Sequence, residues 1–306
     1  MRVEGKAIPG RWTHALKPET SNISVLETMI RARGLRMSRV NPTDDLLLPP
    51  SGRDADLEDY RAVLDHYAAR LLLREVLKSE SMTTWLKGRE LVQRFCDPKA
   101  VDDFLSRLTK LGVLRESEGG FPVPVTPVRN FGPTYEWYTA MVLASEFGCP
   151  AIWGVTFENH GSGGDYDVMA SLAGSLLYLE VKTSPPGRIE QPEISGFVDR
   201  LIDLGPDIAV FNNDTHLRMK DKIVPYMESV MEAMHGKRGE RLHFKHLERD
   251  IFHLEGAVYI TNSKPDLKRN MEVIFRHHFR SRSRVLDAIT LGDNLMFDEK
   301  GKSIKY

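Results

Sequence analysis

From residue 133 to residue 279 the chain alternates between helical and strand periodicity, and alternation of that kind resolves into helices layered on a sheet. Residues 133–147 are strongly apolar and end at Gly148, which predicts a helix with a glycine stop. Strand-like runs follow at 152–157, 165–170 and 175–183 and form a meander. Beyond Pro192, the residues Ile194, Phe197, Val198, Leu201 and Ile202 obey the i, i+3, i+4, i+7, i+8 rule of an amphipathic helix. A strand at 208–211, a helix around 222–234, a strand at 257–261 and a helix at 265–279 complete the series. The expected class is α/β, with a mixed central sheet flanked by helices.

The first half reads differently. Val63, Leu64, Tyr67, Leu71 and Val76 recur at near-helical spacing, predicting one long helix over 57–78, and a second is expected at 84–95. A third begins where Asp97 can cap and Pro98 suits the first helical position, and it stops at Gly112, with Val101, Phe104, Leu105 and Leu108 on one face. Residues 113–118, a Gly119-Gly120 turn and residues 121–123 predict a β-hairpin. Three helices and a hairpin predict a mainly helical, winged helix-turn-helix domain over 57–124. In such a domain the third helix would offer Lys99, Arg107 and Lys110 to DNA, with Asp102 and Asp103 opposing them. Winged helices also join protein to protein. Pro122, Pro124 and Pro127 suit a linker to a second domain over 129–306. Residues 1–56 carry Arg31, Arg33, Arg36 and Arg39 and then Asp44, Asp45, Asp54 and Asp56, broken by Pro42, Pro49, Pro50 and Gly52; no role for them is legible.

Composition sets outer limits. Forty-two basic against 43 acidic side chains give a net charge of −1 over 306 residues, so any contact with a polyanion must come from local clusters. Two cysteines, Cys96 and Cys149, make no disulfide framework, and a reducing compartment fits. No run approaches the ~20 apolar residues that span a bilayer, and the N-terminus has no signal pattern, so the expectation is cytoplasmic with no membrane partner.

The chemistry concentrates in two neighbouring strands. Asp165-Tyr-Asp167-Val-Met-Ala is followed by Leu176-Leu-Tyr-Leu-Glu180-Val-Lys182-Thr. Alternation puts Glu180 and Lys182 on one face and Leu179 and Val181 in the opposite layer, with Asp167 able to project beside them. Paired carboxylates are costly without a cation, and hard oxygen ligands suit Mg²⁺ or Mn²⁺, to which the Val181 carbonyl could add a further ligand. Such a site can activate water and stabilise charge on a phosphate, with Lys182 assisting. A bare Glu-x-Lys is expected about once by chance in a chain this long, so the weight lies on the combination with Asp167 and the flanking helices.

That combination, with Glu136 in Gly132-Pro-Thr-Tyr-Glu136-Trp, resembles the PD-(D/E)xK, or restriction-endonuclease-like, nuclease superfamily over about 132–213. The resemblance implies a restriction-endonuclease-like core. It also implies that Asp167 and Glu180 bind the divalent metal, that Glu136 completes or supports the site, and that Lys182 assists the nucleophile. The family's proline before the aspartate is replaced by Tyr166, and Asp165 competes with Asp167 as the acid. Gln191, ahead of the amphipathic helix, could touch substrate. The implied activity is a metal-dependent endonuclease, with DNA favoured by the winged helix. The alternatives are an RNA substrate or a non-catalytic DNA-binding or assembly protein that keeps the fold. The strings Asp167-Val-Met-Ala and Leu179-Glu-Val-Lys-Thr also look like the nuclease halves of CRISPR-ancillary and related defence nucleases. Pairing of two sites makes a homodimer an expectation, and activity could require a partner protein.

Two further readings complete the set. Lys264, Lys268, Arg269, Arg276, Arg280, Arg282 and Arg284 outnumber Asp266 and Glu272 near the C-terminus and could meet phosphates, Lys268, Arg269, Arg276 and Arg280 foremost. His243, His246 and His253 lack a zinc-ligand pattern and read as surface histidines.

Overall fold

The computed structural model describes residues 20–158, 164–235, 242–283, 295–297 and 303–305. Arg284 of the basic stretch lies outside them. The chain opens with α1 (Thr20–Arg31) and β1 (Met37–Arg39), both unforeseen in the sequence. Four helices follow: α2 (Asp54–Leu64), α3 (Tyr67–Leu77), α4 (Met82–Val92) and α5 (Pro98–Lys110). The hairpin of β2 (Leu114–Glu116) and β3 (Pro122–Pro124) closes this region. The α/β part runs α6 (Gly132–Phe147), β4 (Ala151–Phe157), β5 (Tyr166–Leu172), β6 (Ser175–Lys182), α7 (Gln191–Leu204), β7 (Ile208–Asn213) and α8 (Ile223–His235). It ends with β8 (Lys245–Glu248), β9 (Ile251–Leu254), β10 (Val258–Asn262) and α9 (Leu267–Arg280), and then a separate pair, β11 (Leu295–Phe297) and β12 (Ser303–Lys305).

Eight strands form one mixed sheet in the order β1-β4-β5-β6-β7-β10-β9-β8. The meander β4-β5-β6 is antiparallel, whereas β7 lies parallel to both β6 and β10. Helices cover both faces, as the continuous apolar character of the central strands demands. Val168, Leu177, Leu179 and Val181 join Trp137, Met271 and Ile274 of α6 and α9 in one apolar cluster, which runs on into α2, α3 and α5. Met169, Leu176, Tyr178 and Phe211 pack with Leu26 of α1, Phe197 of α7 and Met227 of α8 in the other. No helix among the described residues is long and apolar enough to cross a membrane.

One expectation needs correction, and one hairpin carries no signal in the sequence. The single helix expected over 57–78 is two helices, broken where His66 takes an extended conformation (φ −86°, ψ 120°). The Asp65 carboxylate at the break accepts from Tyr138 at 2.8 Å and Lys268 at 2.9 Å, and Arg70 Nη1 donates to the carbonyls of Leu64 and Asp65 that the break frees. Apolar periodicity carries across such a break unchanged, so it was invisible to pattern. The β8-β9 hairpin is not legible in the sequence because Lys245, Glu248, Arg249 and Asp250 give it the polar look of a loop, a usual device of edge strands.

The helical region is stapled to the sheet by one buried carboxylate. Asp214, at the end of β7, accepts from Arg70 Nη2 at 2.7 Å and Nε at 3.0 Å, and from Ser263 at 2.7 Å. Arg74 Nη1 lies 3.5 Å from it and donates to the carbonyls of Thr183 (2.7 Å) and Asp214 (2.9 Å). The Arg70 guanidinium also stands over the rings of Tyr135 and Tyr138, each at 5.5 Å. Burial works against the charge, but Arg70 and Arg74 hold the Asp214 carboxyl below its ordinary range. Removing one partner of a buried pair strands the other. Asp214→Ala is expected to cost about 3–5 kcal/mol, read from the urea midpoint.

Candidate active site

The site forms at one end of the central strands. On β6, Glu180 and Lys182 share a face with Tyr178, while Leu179 and Val181 enter the opposite core, as alternation requires. The register pairing Val168 with Leu179 runs on to set Asp167 across from Glu180. Asp167 does not simply project from the sheet, since its Oδ2 accepts from the backbone N–H of Val181 at 2.7 Å. The carboxylate thus lies toward β6 in the position of a ladder acceptor. A strand residue directs N–H and C=O to the same side, so the Val181 carbonyl also faces β5.

Glu136 comes from the first half of α6. Across from Asp167 stands Gly154, bracketed by the pairs Trp153–Val168 and Val155–Tyr166. Gly154 has a φ of +56°, and a Cβ there would come within 2.6 Å of Pro42 and 3.8 Å of Glu136 Oε2. Glycine is therefore required both for the left-handed backbone and for the close approach of the 42 loop.

Glu136, Asp167 and Glu180 act on one another electrostatically, and they divide by charge state. Glu180 has no exposed surface. Its Oε1 meets Arg200 Nη2 at 2.6 Å and Lys182 Nζ at 2.7 Å, and Tyr178 donates to Oε2. Burial opposes ionisation, yet Lys182 and Arg200 hold the carboxyl below its ordinary range. Asp167 is pushed well above its range by burial and then by Glu180, against Lys182 and the Val181 N–H. Glu136 is pushed up to about 9 by burial, then by Asp167, Asp165 and Glu180. Lys182 is raised despite its burial, because Glu180 and Asp167 favour the ammonium form. Asp165 precedes β5 and is exposed, so it acts on its neighbours through space only.

Two site residues escaped the sequence. Arg200 on α7 donates from Nε to Tyr178 at 2.8 Å and grips both oxygens of Glu180. Asn213 pairs in register with Lys182 on the parallel neighbour strand. It is fully buried, and neither polar atom of its side-chain amide finds a partner among the described residues. Buried polar atoms are nearly always satisfied, so this amide beside Lys182 stands out among the described residues. Only its position at the end of an apolar strand could have drawn notice.

A divalent cation fits this donor set in a limited way. Among the described residues, no three acidic, histidine or cysteine side chains are gathered closely enough to cage a metal by themselves. Mg²⁺ does not need that, since it takes one or two carboxylates and keeps several waters. Glu136 and Asp167 are the pair whose mutual repulsion a cation relieves, with the Val181 carbonyl beside them, whereas Glu180 is already answered by two protein cations.

The candidate nucleic-acid contacts scatter. Lys99 and Lys110 are exposed on α5, where Arg107 reaches the Asp59 carbonyl at 3.4 Å and Asp102 is paired with Arg89 at 2.6 Å. Lys268 is held by Asp65 and Glu146, both at 2.9 Å, and Arg269 lies 3.9 Å from Glu272, leaving Arg276 and Arg280 exposed on α9. Gln191 is the exposed first residue of α7.

No family model matches the sequence, and no curated protein does. Among solved structures, the chain is similar to the crystal structure of protein VC1899 from Vibrio cholerae. That likeness has a TM-score of 0.49 and 15% identity, over 83% of this chain and 62% of that one. It is also similar to Can2 from Sulfobacillus thermosulfidooxidans in complex with cyclic tetra-adenylate. Here the TM-score is 0.37 with 15% identity, over 61% of this chain and 51% of that one.

The charge states lead to a pH dependence. Between the ordinary glutamate value of 4.5 and about 9, the folded protein keeps a proton on Glu136 that the unfolded chain has released. Stability therefore falls as pH rises through that window. Glu136→Gln should remove this contribution, so urea unfolding across the window should show the variant gaining on the parent as pH rises. A constant difference would exclude Glu136 as the source.

Proposed function

We propose that this chain is a divalent-metal-dependent nuclease that hydrolyses phosphodiester bonds, with DNA as substrate, built on a restriction-endonuclease-like core behind a winged-helix module at 57–124. The observation that supports it best is the gathering of Glu136, Asp167, Glu180 and Lys182 at one end of the central strands, with two carboxyls that have no cation pair of their own and one ammonium beside them.

Glu136 and Asp167, with the Val181 carbonyl, would hold Mg²⁺ or Mn²⁺, which supplies Lewis acidity and a lowered water pKa when bound. The protein's own groups then divide the work. Lys182 is kept protonated by Glu180 and Asp167, so it donates a hydrogen bond to the oxygen on which charge develops and does not take a proton. Arg200 and Tyr178 fix Glu180, and Glu180 fixes Lys182, so the ammonium is positioned before substrate arrives. In the reaction, a water oxygen bonds to phosphorus as the bond to the leaving nucleoside oxygen breaks, in line, the water giving up a proton to solvent and the leaving oxygen taking one from it.

One observation favours a second reading. The engagement of Glu180 by Arg200 and Lys182 suits a protein that binds DNA without cutting it. Plasmid, single-stranded DNA and RNA incubated with Mg²⁺, Mn²⁺ or EDTA separate the two. Metal-dependent cutting is expected, reduced about 10²-fold or more in Asp167→Ala, Glu180→Ala and Lys182→Ala and only a few-fold in Asp165→Ala. Binding with no cutting under any condition would establish the non-catalytic reading.

A further inference from the structure

We propose that the groove between the helical region and the loop after β6 is the track for the phosphodiester backbone of one polynucleotide strand, leading into the candidate active site. The proposal rests on the nuclease reading for its purpose, though not for its geometry.

Two adjoining cavities, of about 190 and 420 Å³, share Arg74, Lys78, Thr183, Pro185 and Arg188 and so make one groove. Its walls continue the two elements that carry the chemistry. Thr183 follows Lys182 directly at the end of β6. Arg129, Asn130 and Phe131 lead into α6, which carries Glu136. Glu136, Asp167, Glu180 and Lys182 do not themselves line either cavity, so the groove adjoins the site through Thr183 and Phe131, the residues that flank its elements. The third wall comes from α3 and α4, so the helical region does not merely sit beside the site but completes the approach to it.

The groove's charge is unusually free. Lys78 is offset by Glu75 at 2.6 Å, and Asp214 is spent on Arg70. Arg94, Arg129 and Arg188 are exposed on its rim with no acidic partner among the described residues. Deeper in, Arg74 is only 6% exposed, yet its Nε and Nη2 find no acceptor among the described residues, while Nη1 is used on Thr183 and Asp214. The Arg74 guanidinium also stands over the Tyr67 ring at 5.5 Å, and it is the exposed rim arginines that offer a phosphate the fork geometry arginine prefers. Phe95 and the half-exposed Leu217 add an apolar side against which a base can rest.

Size selects one strand. Cavities of this volume match a small-molecule pocket, whereas a duplex presents a major groove alone about 12 Å wide. None of the α5 or α9 cations lines this groove, and Lys268 and Arg269 are partly spent on Asp65, Glu146 and Glu272.

Fluorescence anisotropy of labelled single-stranded DNA and RNA, with the full chain in EDTA, tests this without cutting. The triple variant Arg94→Ala, Arg129→Ala, Arg188→Ala changes only exposed side chains and should melt like the parent. It is expected to bind about tenfold or more weakly, with the slope of log K against log salt reduced by about 2 for three lost phosphate contacts. Lys245→Ala, at the far edge of the sheet, should bind as the parent does. The arms with DNA and RNA show which sugar the groove accepts. An unchanged salt slope in the triple variant, a loss carried instead by Lys99→Ala or Arg280→Ala, or duplex competing as well as single strands would overturn the proposal. If groove-dependent binding appears and nothing is ever cut, the nuclease reading fails while the groove stands. If cutting persists undiminished in the triple variant, the groove fails and the nuclease reading stands.

Discussion

A carboxylate with no exposed surface in the middle of a sheet is a constraint that everything around it must answer. Burying a lone charge costs far more than a domain's net stability, so Glu180 can exist ionised only if cations and donors are delivered to it. Lys182 arrives from the same strand, two residues on and on the same face. Arg200 has to arrive from α7, which fixes where that helix lies and how it is rotated. Tyr178 fills the remaining lone pair. The α7 packing of Ile194, Phe197 and Val198 is thus tied to an electrostatic demand as well as to an apolar one.

A second buried carboxylate plays the corresponding part between the two halves of the chain. Asp214 draws Arg70 and Arg74 from α3 into the end of β7, and the apolar cluster of the helical region runs unbroken into that of the sheet. A linker reading at 122–127 describes the covalent path, while the packing joins the two regions into a shared core. Because Arg74 also reaches the Thr183 carbonyl, the loop after β6 is held by the helical region directly.

Much of the site was legible because strand alternation is strict. Glu180, Lys182 and Asp167 could be placed relative to one another from period two and one neighbouring strand, and Glu136 from the helix ahead. Arg200 and Asn213 were not legible, because each matters through a contact made across the fold, and neither breaks the local pattern of its element. The same holds for the fold. Capped helices such as α5, with Asp97 accepting from Ala100 at 2.8 Å, announce themselves. The break at Asp65 does not, because the partners that stabilise it, Tyr138 and Lys268, stand 73 and 203 residues away.

Gly154 carries a consequence for the sheet as a partition. A sheet ordinarily separates what lies on its two sides, and a helix on one face has no access to side chains on the other. At Gly154 that separation lapses. Trp153 belongs to one apolar cluster and Val155 to the other, although two residues along a regular strand should share a face, and Val168 and Tyr166 switch in the same way on β5. Asp167 lies at this crossover, with its carboxylate turned toward β6. The glycine thus opens a window through the partition, through which Glu136 from one side and Glu180 with Lys182 from the other share one electrostatic environment.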